Sequence, residues 1–256
     1  VLTITKAGTY VLTGTLTDGQ IVVDASQDDK VQLVLNGAEI TCSSGAAVYV
    51  KQADKVFLTA ADGTQNTLTC GETFSGEAAA DEVTGAVFSH DDLTVNGSGS
   101  LTVNGNYQHG IVSKDDLVLA GVTLTVRSVS DGLRGKDCVK IASGTYSISS
   151  GTDGIQASND SDTALGYVYI AGGDFTISSG NDGVQAETLL CVTDGAFQIT
   201  SGGGSANAAA KADSGGAPGG WGGRPGEAAQ DGVPSGMTQP AAQTTASQTA
   251  AEHGAA

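Results

Sequence analysis

Three Asp-Gly pairs recur at matching points of a repeating unit, and that repeat constrains the fold more than anything else in the chain. They are Asp131-Gly132, Asp153-Gly154 and Asp182-Gly183. The first interval is 22 residues and the second 29, so seven extra residues are inserted, placed around Ser158–Gly166. A fixed period of this size marks a stack of short units, each burying its apolar side against its neighbours.

The apolar residues keep the same period. Leu101, Leu124, Tyr146, Phe175 and Phe197 form one column, and Val87, Ile111, Leu133, Ile155 and Val184 a second. Beside the second runs a small-residue column, Ser89, Ser113, Gly135, Ala157 and Ala186. A third strand repeats as Leu117/Leu119, Val139/Ile141, Val168/Ile170 and Leu190/Val192. Alternation of apolar and polar residues identifies each piece as a strand, and earlier stretches at Val1–Val11, Ile21–Val23, Val31–Leu35 and Val56–Leu58 read the same way. Three strands per repeat predict an all-β fold, a single-stranded parallel β-helix, right-handed by the crossover rule. An antiparallel sandwich would not explain the 22-residue recurrence. Helical periodicity is essentially absent.

The composition changes after Ser201. All four prolines (Pro218, Pro225, Pro234, Pro240) lie beyond it, where Val233 is the lone aliphatic β-branched or Leu residue. The expected division is a β-helix over 1–204 and a disordered Gly/Ala/Pro/Gln-rich insertion or linker over 205–256. The opening Val1-Leu2-Thr3-Ile4-Thr5 already reads as strand and carries no signal-peptide pattern, so a signal and earlier repeats are expected to precede it.

The net charge is −17, which argues against nucleic acid and anionic membrane as partners. No apolar run is long enough to insert in a membrane. The four cysteines, Cys42, Cys70, Cys138 and Cys191, lack metal-binding spacing. Cys138 and Cys191 fall in different columns and are expected to be free thiols. A Cys42–Cys70 bond is left open.

Stacking places the three aspartates about 4.8 Å apart, and like charges on neighbouring strands repel. Cations, shared protons or splayed side chains would relieve this. Hard oxygen ligands favour Ca²⁺. A second polar cluster follows each turn, with Asp115, Asp137, Asn159, Asp160 and Glu187 as further ligands. The alternative is that Asp-Gly is turn chemistry, with Gly supplying positive φ. Lys114, Arg134 and Lys136 also fall in these turns. They either balance the acids or contact a polyuronate's carboxylates. Arg134 and Lys136 are the candidate bases for a lyase, with His90 and His109 behind them. Tyr169 faces outward as a sugar platform. Tyr49 and Phe88 share an outward column that continues as Val112 and Arg134.

The runs Asp131-Gly-Leu-Arg-Gly-Lys-Asp137, Gly151-Thr-Asp-Gly-Ile-Gln-Ala-Ser-Asn-Asp160 and Gly166-Tyr-Val-Tyr-Ile170, with Ser201-Gly-Gly-Gly-Ser-Ala-Asn207 and Ala53-Asp-Lys-Val-Phe-Leu58, resemble a bacterial family of carbohydrate-binding-domain proteins. Its described member is a cellulose-binding β-helix protein with a pectate-lyase-like fold. The resemblance implies an extracellular or cell-surface, calcium-loaded domain that binds cellulose- or polygalacturonate-like polysaccharide. It carries Asp131, Asp137, Asp153, Asp160, Asp182 and Glu187 over as calcium ligands. The leading expectation is a monomeric, non-catalytic polysaccharide-binding module, with Lys114, Arg134, Lys136 and Tyr169 as its contacts. The alternatives are a calcium-dependent polysaccharide lyase and a structural or adhesive stalk.

Overall fold

In the computed structural model, which describes residues 1–202, every strand pairing is parallel. The strands form two sheets, one of eight and one of twelve. Each strand pairs with its counterpart in the repeats before and after it. The columns read from the sequence are the observed register. Leu101 pairs with Leu124, Leu124 with Tyr146, Tyr146 with Phe175 and Phe175 with Phe197. On the eight-stranded sheet Val87, Ile111, Leu133, Ile155 and Val184 follow one another in the same way.

Stacking like on like makes one continuous core. Tyr146 and Phe175 are buried, and their rings stack at 4.9 Å, with Phe197 a further 4.6 Å on. Leu117, Leu119, Val139, Ile141, Val168 and Ile170 are fully buried beside them. The seven extra residues sit where expected: Gly135 and Cys138 are partners of Ala157 and Tyr167, so a three-residue step becomes ten.

The opening strand is broken, with Leu2–Ile4 in the eight-stranded sheet and Gly8–Leu16 in the other. A one-turn helix, Gly76–Ala80, lies in an insertion that lengthens the step from Val48 to Val87 to 39 residues. It is too short to leave a helical period in the sequence.

Tyr49 and Phe88 are in one column with Val112 and Arg134, as read. They are not exposed platforms. Tyr49 is 1 % exposed and Phe88 0 %, packed with Ala78, Val83 and Phe74 of the insertion. All four cysteines are free, with Cys42 and Cys70 in register on adjacent strands. Residues 203–204, expected at the end of the β-helix, and the segment 205–256 lie outside the described residues.

Candidate functional site

The three-residue strands Leu133–Gly135, Ile155–Ala157 and Val184–Ala186 lie side by side in the eight-stranded sheet. Their inward residues fix them to the core. Arg134, Gln156 and Gln185 are in register on the outer side. Turns border the strip on both edges, and the candidate residues are in those turns.

On the first edge, His109, Asp131, Asp153 and Asp182 form one column. The Asp131 carboxylate accepts the Asp153 N–H at 3.2 Å and the Thr152 hydroxyl, and that of Asp153 accepts the Asp182 N–H at 3.0 Å. The Asp131 N–H in turn lies 3.1 Å from His109 Nδ1. Each side chain thus satisfies the backbone of the next repeat. Arg134 donates to Asp131 Oδ2 at 3.0 Å, and the His109 ring lies 3.1 Å from the same oxygen. Burial works to raise the Asp131 carboxyl, but hydrogen bonding with His109 and Thr152, with the Asp153 N–H, holds it well below the usual carboxylate range. Asp153 is displaced upward by burial and by the charges of Asp131 and Asp182.

The glycines of these pairs serve packing. None of Gly132, Gly154 and Gly183 has positive φ. A Cβ on Gly132 would stand 2.5 Å from Ile148 Cγ2 and 2.6 Å from the Gly154 carbonyl oxygen, and Gly154 and Gly183 meet Ile177 and Ile199 in the same manner. Close approach explains these glycines, and the turn-conformation account does not.

On the second edge the structure brings other acids together. Carboxylate oxygens of Asp92, Asp115 and Asp116 lie within 4.8 Å of one another, the one such group of three among the described residues. Asp131, Asp153 and Asp182 do not gather in this way. Burial, the charge of Asp92 and a hydrogen bond with Asp137 push the Asp115 carboxyl up to about 6. Asn159 donates to Asp137 at 2.7 Å, and its own oxygen accepts the Ser161 and Asp162 N–H groups of the insertion. Lys55 pairs with Asp92 at 3.1 Å and Lys140 with Asp116 at 2.8 Å. The Cys138 thiol donates to Asp116 at 2.9 Å, and burial with that hydrogen bond raises it to about 12, which leaves it inert at neutral pH. Asp160 is exposed, and Glu187 accepts a hydrogen bond from Gln185. The sequence contained the signal for Asp92 and Asp116, since the runs His90-Asp91-Asp92 and Lys114-Asp115-Asp116 stand at matching points of successive repeats. The register then decides that they meet.

A cavity of about 230 Å³ opens beside these turns, lined by Val112, Ser113, Lys114, Arg134, Lys136 and Ser158. Three of the chain's eleven Lys and Arg residues converge there. Neither Lys114 nor Lys136 is within 4 Å of a carboxylate among the described residues. Burial and repulsion from Arg134 and Lys136 push the Lys114 ammonium down, with Glu82 opposing. Its Nζ is 5.8 Å from the centre of the Phe88 ring. Tyr169, 39 % exposed, does not join this cavity. It belongs to the twelve-stranded sheet, in register with Lys140. The four expected sugar contacts therefore divide between two faces.

A family model described as carbohydrate-binding domain-containing protein matches residues 1–251. The chain belongs to that family. A carbohydrate-binding domain-containing protein of Acetivibrio thermocellus is 42 % identical over 126 residues, 49 % of this chain. The match spans 44 % of that relative's length. The solved structure of a polysaccharide lyase-like protein from C. thermocellum, a gadolinium derivative, is similar with a TM-score of 0.72 and 33 % identity. The likeness covers 76 % of this chain and 89 % of that one.

Proposed function

We propose that this domain is a calcium-dependent, non-catalytic module that binds polysaccharide of the cellulose or polygalacturonate type, outside the cell or at its surface. The observation that carries the reading is the cavity of Lys114, Arg134 and Lys136, two of them without an acidic partner among the described residues, in a family member of net charge −17. Unpaired cations held together in an acidic protein favour an anionic group such as a uronate carboxylate. Parallel pairing between successive repeats supports a β-helix, and the crossover rule favours its right-handed form.

Calcium is assigned to Asp115, Asp137, Asp92 and Asp116, with Asn159 beside them. Asp115 and Asp137 contact each other as carboxyls, which a shared proton or a cation between them would stabilise. Among the described residues Asp131, Asp153 and Asp182 do not bring three carboxylate oxygens within reach of one ion, which makes that column the poorer site. Gadolinium is also an oxygen-seeking cation, and the solved neighbour is described as its derivative. Bound calcium would supply positive charge beside the cavity.

The lyase alternative needs a base. Arg134 is engaged with Asp131, which leaves Lys136. The test is calorimetric titration with polygalacturonate and a pull-down on cellulose, each with calcium and with chelator, alongside an ultraviolet assay for unsaturated uronates. Calcium-dependent binding without ultraviolet absorbance supports the module. Turnover would establish the lyase, and no binding would leave the structural-stalk reading.

A further inference from the structure

The outer column of the eight-stranded sheet changes character part-way along. Val22, Tyr49, Phe88 and Val112 come first, followed by Arg134, Gln156 and Gln185. The first four are at most 4 % exposed, covered by the insertion that carries the one-turn helix. Ala78, Val83 and Phe74 provide its apolar contacts. Polar bonds fasten it: the Tyr49 hydroxyl donates to Asp81 at 2.7 Å, and Lys51 pairs with Glu77 at 2.5 Å.

Among the described residues the last three positions have no such cover, and they are partly exposed. The strands bearing them are three residues long and bordered by turns, so the longer direction of the strip runs across the strands. Arg134 to Gln185 is two strand spacings, about 10 Å. The amides on the strip are held in place: Gln156 Nε2 donates to Asp153 at 3.1 Å and to Gln185, whose own Nε2 donates to Glu187 at 3.0 Å. The cationic cavity stands where the cover stops, since Val112 lines it together with Arg134.

We propose that this strip reads the end of a polysaccharide chain and not its interior, because the insertion covering Val112 and Phe88 walls it off on the Arg134 side. The terminal sugar sits against Lys114, Arg134 and Lys136, and the following sugars extend over Gln156 and Gln185. This rests on the polysaccharide-binding reading above and adds a polarity to it. An open strip would accept a polymer at any point along its length. A walled strip accepts a chain only at its terminus.

The experiment is calorimetric titration of the whole chain, with calcium, against polygalacturonate fragments of increasing length at equal mass. End recognition gives one protein per ligand chain at every length, so sites per gram rise in proportion to the number of chain ends. Sites that instead scale with mass, with several proteins on each long chain, overturn the proposal and leave polysaccharide binding standing. Binding at no length overturns both. A second variant replaces residues 73–82 by a short Gly-Ser turn and is assayed only if its circular dichroism is that of the parent. Removing the wall is expected to convert one protein per chain into several on long polymers. Unchanged stoichiometry in this folded variant also overturns the proposal.

Discussion

The carboxylate of Asp131 accepts the backbone N–H of Asp153, one repeat further along the chain, at 3.2 Å. This relationship turns a column of like charges into a ladder. Asp131 and Asp153 each cap the amide of the acid they would repel, and Arg134 adds a donor at the most buried rung. Repulsion remains on Asp153, whose carboxyl is displaced upward.

Asp131→Ala leaves the Thr152 hydroxyl and the Asp153 N–H without their acceptor and is expected to cost about 1–3 kcal/mol. Asp182 is exposed and accepts no hydrogen bond among the described residues, so Asp182→Ala should stay within about 0.5 kcal/mol. Urea unfolding of both variants checks the contrast. Equal losses would rule out the ladder.

Gly132→Ala puts a methyl group 2.5 Å from Ile148 Cγ2 and 2.6 Å from a backbone carbonyl. Overpacking of this kind costs about 1–3 kcal/mol or more. Gly63, with φ +66 and open space around it, is an informative control. Gly63→Ala incurs only the smaller penalty of an L residue in a left-handed conformation. The melting temperatures of the two variants should therefore rank Gly63→Ala above Gly132→Ala.

Calcium should raise the melting temperature and chelator lower it, with the difference blunted in Asp115→Asn and retained in Asp153→Asn. A calcium shift abolished by Asp153→Asn but kept in Asp115→Asn would move the ion to the other edge. No shift in any of the three proteins would remove calcium from the account.

In chelator the pH dependence has a definite sign. The folded-state value of Asp115, about 6, lies above its ordinary value of 3.8. The native state therefore binds the proton more readily than the unfolded chain, and Asp115 destabilises the protein above pH 6. Acidification from pH 7 to about 5 should raise the melting temperature through this group, and Asp115→Asn should flatten that rise. Asp131 acts oppositely at lower pH: its lowered value gives stability that is present above its unfolded value and lost as pH falls through the folded one. A melting temperature that falls steadily from pH 7 to 5 in wild type would contradict the Asp115–Asp137 contact.

Lys136→Ala and Lys114→Ala should each weaken binding of polygalacturonate several-fold, while Tyr169→Ala, on the other sheet, should leave it unchanged. Titrations at two ionic strengths check this, because a contact between charges weakens with added salt. A loss confined to Tyr169→Ala would transfer the site to the twelve-stranded sheet.

The sequence by itself determined the strand register. Inward positions must be apolar in every repeat, and a one-residue slip would turn all of them outward, so the column from Leu101 to Phe197 could be read without coordinates. It also located the two turn edges that hold Asp131 and Asp115. Tertiary structure decided what those edges do. Repetition places aspartates one above another, but whether their oxygens meet or turn to a neighbouring N–H depends on side-chain direction within the turn. Hence Asp92, Asp115 and Asp116 gather while Asp131, Asp153 and Asp182 form a ladder. The fate of Tyr49 and Phe88 was illegible for another reason. Their cover comes from an insertion outside the repeat, and a five-residue helix is too short to show an amphipathic period, so only packing reveals which column it buries.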